Sequence, residues 1–272
     1  MRSADVRAEL GKFVLPTRGG WAKPLVLYQN YWLNPERLEH IIPVKKHFKP
    51  RRDDIILATY PKCGTTWLKA LSFAITTRSG HAPAAGGHPL LTGRDPQKPK
   101  DAFVSWWHFV NNMHKGSSPI KFDDALSMFC EGFSPFGPFW EHCLEYWRQR
   151  LARPEQILFL KYEEIVSEPV EAVKMLAGFF AVPFTEEEEM RVVPEEVVRL
   201  CSFQMLSGLE HNQTGDVARG DSIVVGKSMF FRKGKVGDWE NQMSKEMGKK
   251  LDDVIVRQAQ GVWSCILIHL FG

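Results

Sequence analysis

"ATYPKCGTTW", residues 58–67, closes an apolar run and opens a helical one, and the reading of that join decides the fold. The run before it, "DDIILATY" (53–60), has the β-branched and apolar composition of a buried strand, and "TTWLKALSFAITT" (65–77) has the spacing of an amphipathic helix. A strand that ends in a tight turn and starts a helix offers backbone N–H groups and the positive end of the helix dipole to an anion. Gly64 lets the backbone approach closely, Lys62 adds a movable positive charge, and the hydroxyls of Thr65 and Thr66 donate further hydrogen bonds. Trp67 supplies a flat face for a base. The stretch departs from the nucleoside-triphosphate loop G-x-x-x-x-G-K-[ST], because Lys62 precedes Gly64 and no Gly-Lys-Ser/Thr follows, which argues against magnesium-dependent kinase chemistry. Taken alone, the motif reads equally as a capped helix carrying an exposed lysine.

A second unit of the same kind starts at "QILFLKYEEI" (156–165), an apolar strand expected to end at Tyr162. The next helix is expected near Ser167-Glu168-Pro169, with Pro in its first turn, and Val170, Val173, Leu176 and Phe180 share one face. Alternating strands and helices predict an α/β fold, a central parallel sheet flanked by helices, with ligands at the strand carboxyl ends. No internal repeat or long linker divides the chain, so one domain over 1–272 is expected.

The bulk composition excludes several function classes. A formal charge of +3, with basic and acidic residues mixed along the chain, is too small to imply nucleic-acid binding. Basic clusters at "VKKHFKPRRDD" and "FFRKGK" read first as solvated faces. Five cysteines, at 63, 130, 143, 201 and 265, form no CxxC and leave one over, as in a reduced intracellular protein without a disulfide framework. No stretch approaches 18 apolar residues and "MRSADVRAELGKF" lacks the apolar core of a signal peptide, so a cytoplasmic protein with no membrane partner is expected. The sequon at Asn212 then reads as a chance match.

"YPKCGTTW", "KPKDAFVSWWHF", "FLKYEEI" and "FFRKGKVGDW" occur in this order, and together they resemble the cytosolic sulfotransferases, in particular the plant branch acting on flavonoids, steroids and hydroxyjasmonate. The resemblance runs from about "LVLYQNYWL" to "LDDVIVRQAQG" and implies the P-loop-like sulfotransferase fold. It implies that 3′-phosphoadenosine 5′-phosphosulfate (PAPS) is the co-substrate and 3′-phosphoadenosine 5′-phosphate (PAP) the product, with no metal. The acceptor it implies is the hydroxyl of a small molecule, and it is compatible with a homodimer. By resemblance Lys62, Cys63, Gly64, Thr65, Thr66 and Trp67 hold the 5′-phosphosulfate, with Lys62 the catalytic cation. Ser105, Arg232, Lys233 and Gly234 clamp the 3′-phosphate, and Trp67, Tyr162, Cys201, Phe203 and Phe231 lie near the adenine. The physics agrees for Arg232, a planar, permanently charged fork for a phosphate. Aromatic residues of "GFSPFGPFWEHCLEYW" (132–147) and "LYQNYWL" read either as walls of an acceptor pocket or as core.

One expected part is missing. The family's base is a His in a "T-H-x-P"-like segment between "HPLL" and the strand leading into "RDPKDxxVS", whereas here "HPLLTGRDPQKPKDAFVSWWHF" joins the two landmarks directly. This implies an internal deletion near 92–97 that removes the base and one sheet strand. His88 and His108 belong to the flanking landmarks, and Arg94 and Gln97 compete for the family's Arg position. "QAQGVWSCILIHLFG" also departs from the family ending.

Overall fold

The computed structural model describes residues 17–80, 99–113, 118–218, 224–230, 237–259 and 266–270. Three short antiparallel strands, β1 (Thr17–Arg18), β2 (Leu25–Tyr28) and β3 (Tyr31–Leu33), precede a helix, Pro35–His47, capped by the Asn34 side chain. β4 (Ile55–Thr59) then runs into the turn and the helix Thr65–Thr77, as expected. Leu68, Ala70, Leu71, Ala74 and Ile75 of that helix are buried. They share a core with Ala172, Val173, Leu176 and Ala177 of the helix Pro169–Phe179, which carries Pro in its first turn. β5 (Ile157–Leu160) is shorter than expected. Lys161 is extended but caps a new helix, so Tyr162 opens the helix Tyr162–Ser167 instead of closing the strand. A two-stranded ribbon, β6 (Asp216–Ala218) with β7 (Val224–Gly226), precedes the helix Lys245–Ala259 and the last strand, β8 (Ile266–Leu270).

The α/β class holds, but the pairing differs from the parallel ladder expected. The described sheet has the order β4–β8–β5, and β8 is antiparallel to both neighbours. β4 and β5 run in the same direction, yet neither touches the other. The physical reason is the composition of "ILIHL": an apolar run without Pro or Gly supplies N–H and C=O groups to two strand edges at once. Ile266 lies opposite both Thr59 and Leu160, so the carboxyl ends of β4 and β5 are level at one edge of the sheet. Ile268, 0% exposed, joins the core beneath the Thr65–Thr77 helix.

The aromatic stretch 132–147 is mainly core. Phe133, Phe139 and Trp140 are buried in a second cluster with Phe103, Trp106 and Phe129. Cys63, Cys130 and Cys201 are free thiols, whereas Cys143 is disulfide-bonded, with its partner outside the described residues, which departs from the all-reduced expectation. Asn212 is 2% exposed and its amide donates to the Leu206 carbonyl, so the sequon is packed inside.

If β8 is the strand that joins the sheet, Ile268→Ala costs about 2–5 kcal/mol of stability, as deletions in filled cores do. Val256→Ala, at a half-exposed position, changes it by less than about 0.5 kcal/mol. Urea denaturation compares the two; equal, small effects would place β8 outside the core.

Candidate functional site

The turn after β4 is held from several sides. Tyr60, 1% exposed, places its hydroxyl 3.2 Å from Ser134 Oγ and donates to the Pro135 carbonyl at 3.4 Å, while its ring meets Phe139 edge-on. Burial pushes the phenol far above its usual range, so it stays a neutral donor. The Cys63 N–H donates to the Tyr60 carbonyl at 3.1 Å, and the hydroxyls of Thr59 and Thr65 hydrogen-bond across the turn. Two consequences follow for the backbone. Gly64, at φ +92°, sits in the left-handed region that glycine tolerates, and Lys62, at φ +71°, sits there without that licence. Strain of this kind persists only where surrounding contacts enforce it. The helix start after Gly64 has no side-chain cap and no acidic residue in its first turn, which leaves its dipole uncompensated by a carboxylate.

This turn opens onto a cavity of about 420 Å³. Lys62, Gly64, Thr65 and Thr66 line it together with Thr59 and Pro61, so the structure brings these predicted residues to one place. The far walls are Trp21, Trp106, Phe109, Phe136 and Phe230. The Lys62 ammonium lies 4.7 Å from the centre of the Phe109 ring. Further cations line the cavity at Lys23, Arg37 and Lys69, and among its described lining residues there is no Asp, Glu or His. Sequence reasoning missed Lys69, although it lies four residues beyond Thr65 on the same helix, and Arg37 and Lys23, whose approach depends on the N-terminal hairpin. It also missed Tyr146, which reaches the cavity from the helix Phe139–Ala152. Its phenol is pushed up to about 12, chiefly by burial.

Other predicted residues lie apart from this cavity. Cys63 is buried, and Trp67 packs, partly buried, against the core that includes Leu68 and Leu71. Ser105 is buried on the helix Pro99–Met113, which faces the cavity with Trp106, Phe109, Val110 and Met113 instead. Cys201 is 2% exposed, its thiol pushed up to about 12 by burial, and Phe203 opens the helix Phe203–Gly208. The Tyr162 side chain, His88, Arg94, Gln97, Phe231, Arg232, Lys233 and Gly234 lie outside what is described. The segment that follows them is anchored: buried Asp101 accepts the N–H groups of Gly237 and Trp239 at 2.8 Å each, joining "KPKD" to "GDW". His108 stacks edge-on against Trp107. His142 donates from Nε2 to the Phe136 carbonyl at 2.8 Å, and burial lowers its pKa. Neither histidine lines the cavity.

The sulfotransferase domain family model matches residues 52–97 and 90–262, two segments that overlap at 90–97. Cytosolic sulfotransferase 5 of Arabidopsis thaliana is 36% identical over 292 aligned positions, covering 88% of this chain and 89% of the relative. That span exceeds the 272 residues of the chain itself, so the relative carries residues this chain lacks. Flavonol 3-sulfotransferase of Flaveria bidentis is 37% identical, covering 85% of this chain and 89% of that protein. Among solved structures, an Arabidopsis thaliana protein assigned as a steroid sulphotransferase superposes with a TM-score of 0.65 at 28% identity, over 94% of this chain and 93% of that one. A mouse sulfotransferase solved with PAP shares the fold, with a TM-score of 0.63 at 19% identity over 87% of this chain and 95% of its own. A family model spanning most of the chain, relatives above one-third identity and a cation-lined turn at the end of β4 agree: this chain belongs to the sulfotransferase family.

Proposed function

We propose that the protein uses PAPS to move a sulfuryl group to the hydroxyl of a small molecule. The observation that supports this most is the turn 61–66 at the carboxyl end of β4, opening with its lysine onto an aromatic-walled cavity. In this reading the backbone N–H groups at Gly64, Thr65 and Thr66 hold the 5′-phosphosulfate. Lys62 neutralises the charge that grows on the phosphate oxygen as its bond to sulfur breaks. Ser105, Arg232, Lys233 and Gly234 clamp the 3′-phosphate, and Trp67, Tyr162, Cys201, Phe203 and Phe231 surround the adenine. Asp101 holds Gly237 and Trp239, shortly after Arg232 in the sequence. The acceptor lies between Phe109, Phe136 and Tyr146. We assign the chain a single domain and a cytoplasmic location, in keeping with the cytosolic relatives, and among the described residues no helix is long and apolar enough to cross a membrane. A homodimer that needs neither nucleic acid nor membrane completes the reading.

A second reading is favoured by the two-part family match and the longer alignment. A join near 92–97 that removes the family's histidine leaves a protein that binds PAP or PAPS and transfers sulfate slowly, as a pseudoenzyme or a shortened splice product. The two readings share the binding step and differ in turnover.

Binding is tested by thermal denaturation with PAP and with ATP. PAP at about 100 times its dissociation constant stabilises the fold by roughly 2.7 kcal/mol, and ATP, which lacks the 3′-phosphate, stabilises it less. Equal shifts would remove the 3′-phosphate clamp. Lys62→Gly separates binding from folding. The left-handed cost borne by Lys62, about 1–2 kcal/mol, is offset by the roughly 0.5–1 kcal/mol of chain entropy that glycine adds, so stability stays within about 1 kcal/mol of wild type while PAP affinity falls. Unchanged affinity would take Lys62 out of the site. Turnover is tested by donor consumption in this chain against a version with the relatives' segment restored at 92–97. Loss of a general base predicts about 10²–10⁴-fold slower transfer by the chain as it stands, and equal rates would dismiss the second reading.

A further inference from the structure

The disulfide at Cys143 has no part in the sulfotransferase reading. The sequence holds five cysteines, at 63, 130, 143, 201 and 265. Cys63, Cys130 and Cys201 are free thiols and Cys143 is bonded, which leaves Cys265 as its partner. Cys143 is 0% exposed, so its sulfur is closed to a cysteine of a second chain. The match to the family model stops at residue 262 and assigns nothing to Cys265.

The fold places Cys143 beside the start of β8. Cys265 directly precedes Ile266, the first residue of that strand, and Ile266 lies opposite Thr59 and Leu160. The helix Phe139–Ala152 packs against the strands on either side. Tyr60, which follows Thr59, has its ring 4.9 Å from that of Phe139 and 5.4 Å from that of His142, four and one residues before Cys143. Trp147, one helical turn after Cys143, has its ring 5.5 Å from that of Phe159, which lies opposite Leu267. Cys143 therefore stands where the helix crosses the start of β8, and a disulfide spans Cα atoms about 4.4–6.8 Å apart.

We infer that Cys143 and Cys265 form a reversible intrachain disulfide that ties the start of β8 to the helix Phe139–Ala152 and raises the affinity of the β4 turn for PAP. This rests on the sulfotransferase reading for its ligand and on the cytoplasmic one for its reversibility, since disulfides in that compartment are transient and follow the glutathione pool. Formation is a two-electron oxidation. The two thiols lose two protons and two electrons, one S–S bond forms, and oxidised glutathione takes up both to leave as two thiols. The bridge closes the loop from 143 to 265, and a long loop gives up more chain entropy to a cross-link than a short one. Without the bridge, backbone pairing holds Ile266 against Thr59, one residue ahead of the turn. The coupling is reciprocal: whatever factor the bridge adds to PAP affinity, bound PAP adds to the equilibrium constant for forming the bridge.

The test equilibrates the full chain in oxidised or reduced glutathione, blocks free thiols with an alkylating reagent and maps the peptides by mass spectrometry. A linked Cys143–Cys265 peptide is expected in the oxidised sample and two alkylated residues in the reduced one. Oxidised protein is expected to melt about 5–15 °C above reduced protein and to bind PAP at least about fivefold more tightly by calorimetry. Both differences vanish in Cys265→Ser and in Cys143→Ala, two variants that separate the bridge from the local effect of either substitution. Saturating PAP shifts the glutathione poise at half-oxidation by the same factor as the affinity, which a bridge that only staples the fold would not do. Alkylated Cys143 and Cys265 after full oxidation, a linkage to another chain, or equal PAP affinity in both states would overturn the proposal. If PAP binds neither form, the sulfotransferase reading fails and the coupling with it, while the peptide map and the melting difference still decide the bridge.

Discussion

β8 completes two strands at once, and the position of the turn that follows β4 depends on it. β4 and β5 each have an edge whose backbone groups need partners, and Ile266–Leu270 meets both in continuous antiparallel register. Thr59, the last residue of β4, lies opposite Ile266, and the turn begins one residue later. The family model's match stops at residue 262, before the strand at the centre of the described sheet begins at Ile266. The fold agrees with a solved relative over most of the chain.

Above the sheet the turn is strained and over-determined. Lys62 and Gly64 both have positive φ, and the Tyr60 hydroxyl, the Thr59–Thr65 bond and the buried face of the Thr65–Thr77 helix hold them there. The payoff of that geometry is direction: Lys62 projects over Phe109 into the cavity, and the helix start stays open. Asp101 plays the matching part on the opposite side, where one buried carboxylate fixes two backbone N–H groups of the "GDW" segment. The turn and the "GDW" segment are thus held by two anchors from separate parts of the chain.

How much of this was legible depended on how local each feature is. The β4–turn–helix unit could be read because its periodicity changes at Gly64, and the helix at Pro169 because proline marks its first turn. The strand end at Tyr162 was misread by two residues, since an apolar strand and the helix after it share the run "FLKY". The antiparallel insertion of β8 was not legible: "ILIHL" shows an apolar run, but its partners are residues 55–59 and 157–160, and no local pattern names a partner that distant. Phe136 at the cavity and Phe133 in the core lie three residues apart with the same side chain, so only packing tells wall from core. The recruitment of Lys69 followed from helix periodicity and was within reach; that of Arg37 required the N-terminal hairpin to be placed first.

The central claim is that the turn at the end of β4 receives the 5′ end of the donor. A crystal structure of the chain with PAP tests it most directly. The account predicts the 5′-phosphate within hydrogen-bond range, about 2.7–3.2 Å, of backbone N–H groups at Gly64–Thr66, with Lys62 turned toward it. PAP bound elsewhere, or a 5′-phosphate that makes no contact with this turn, would contradict the account.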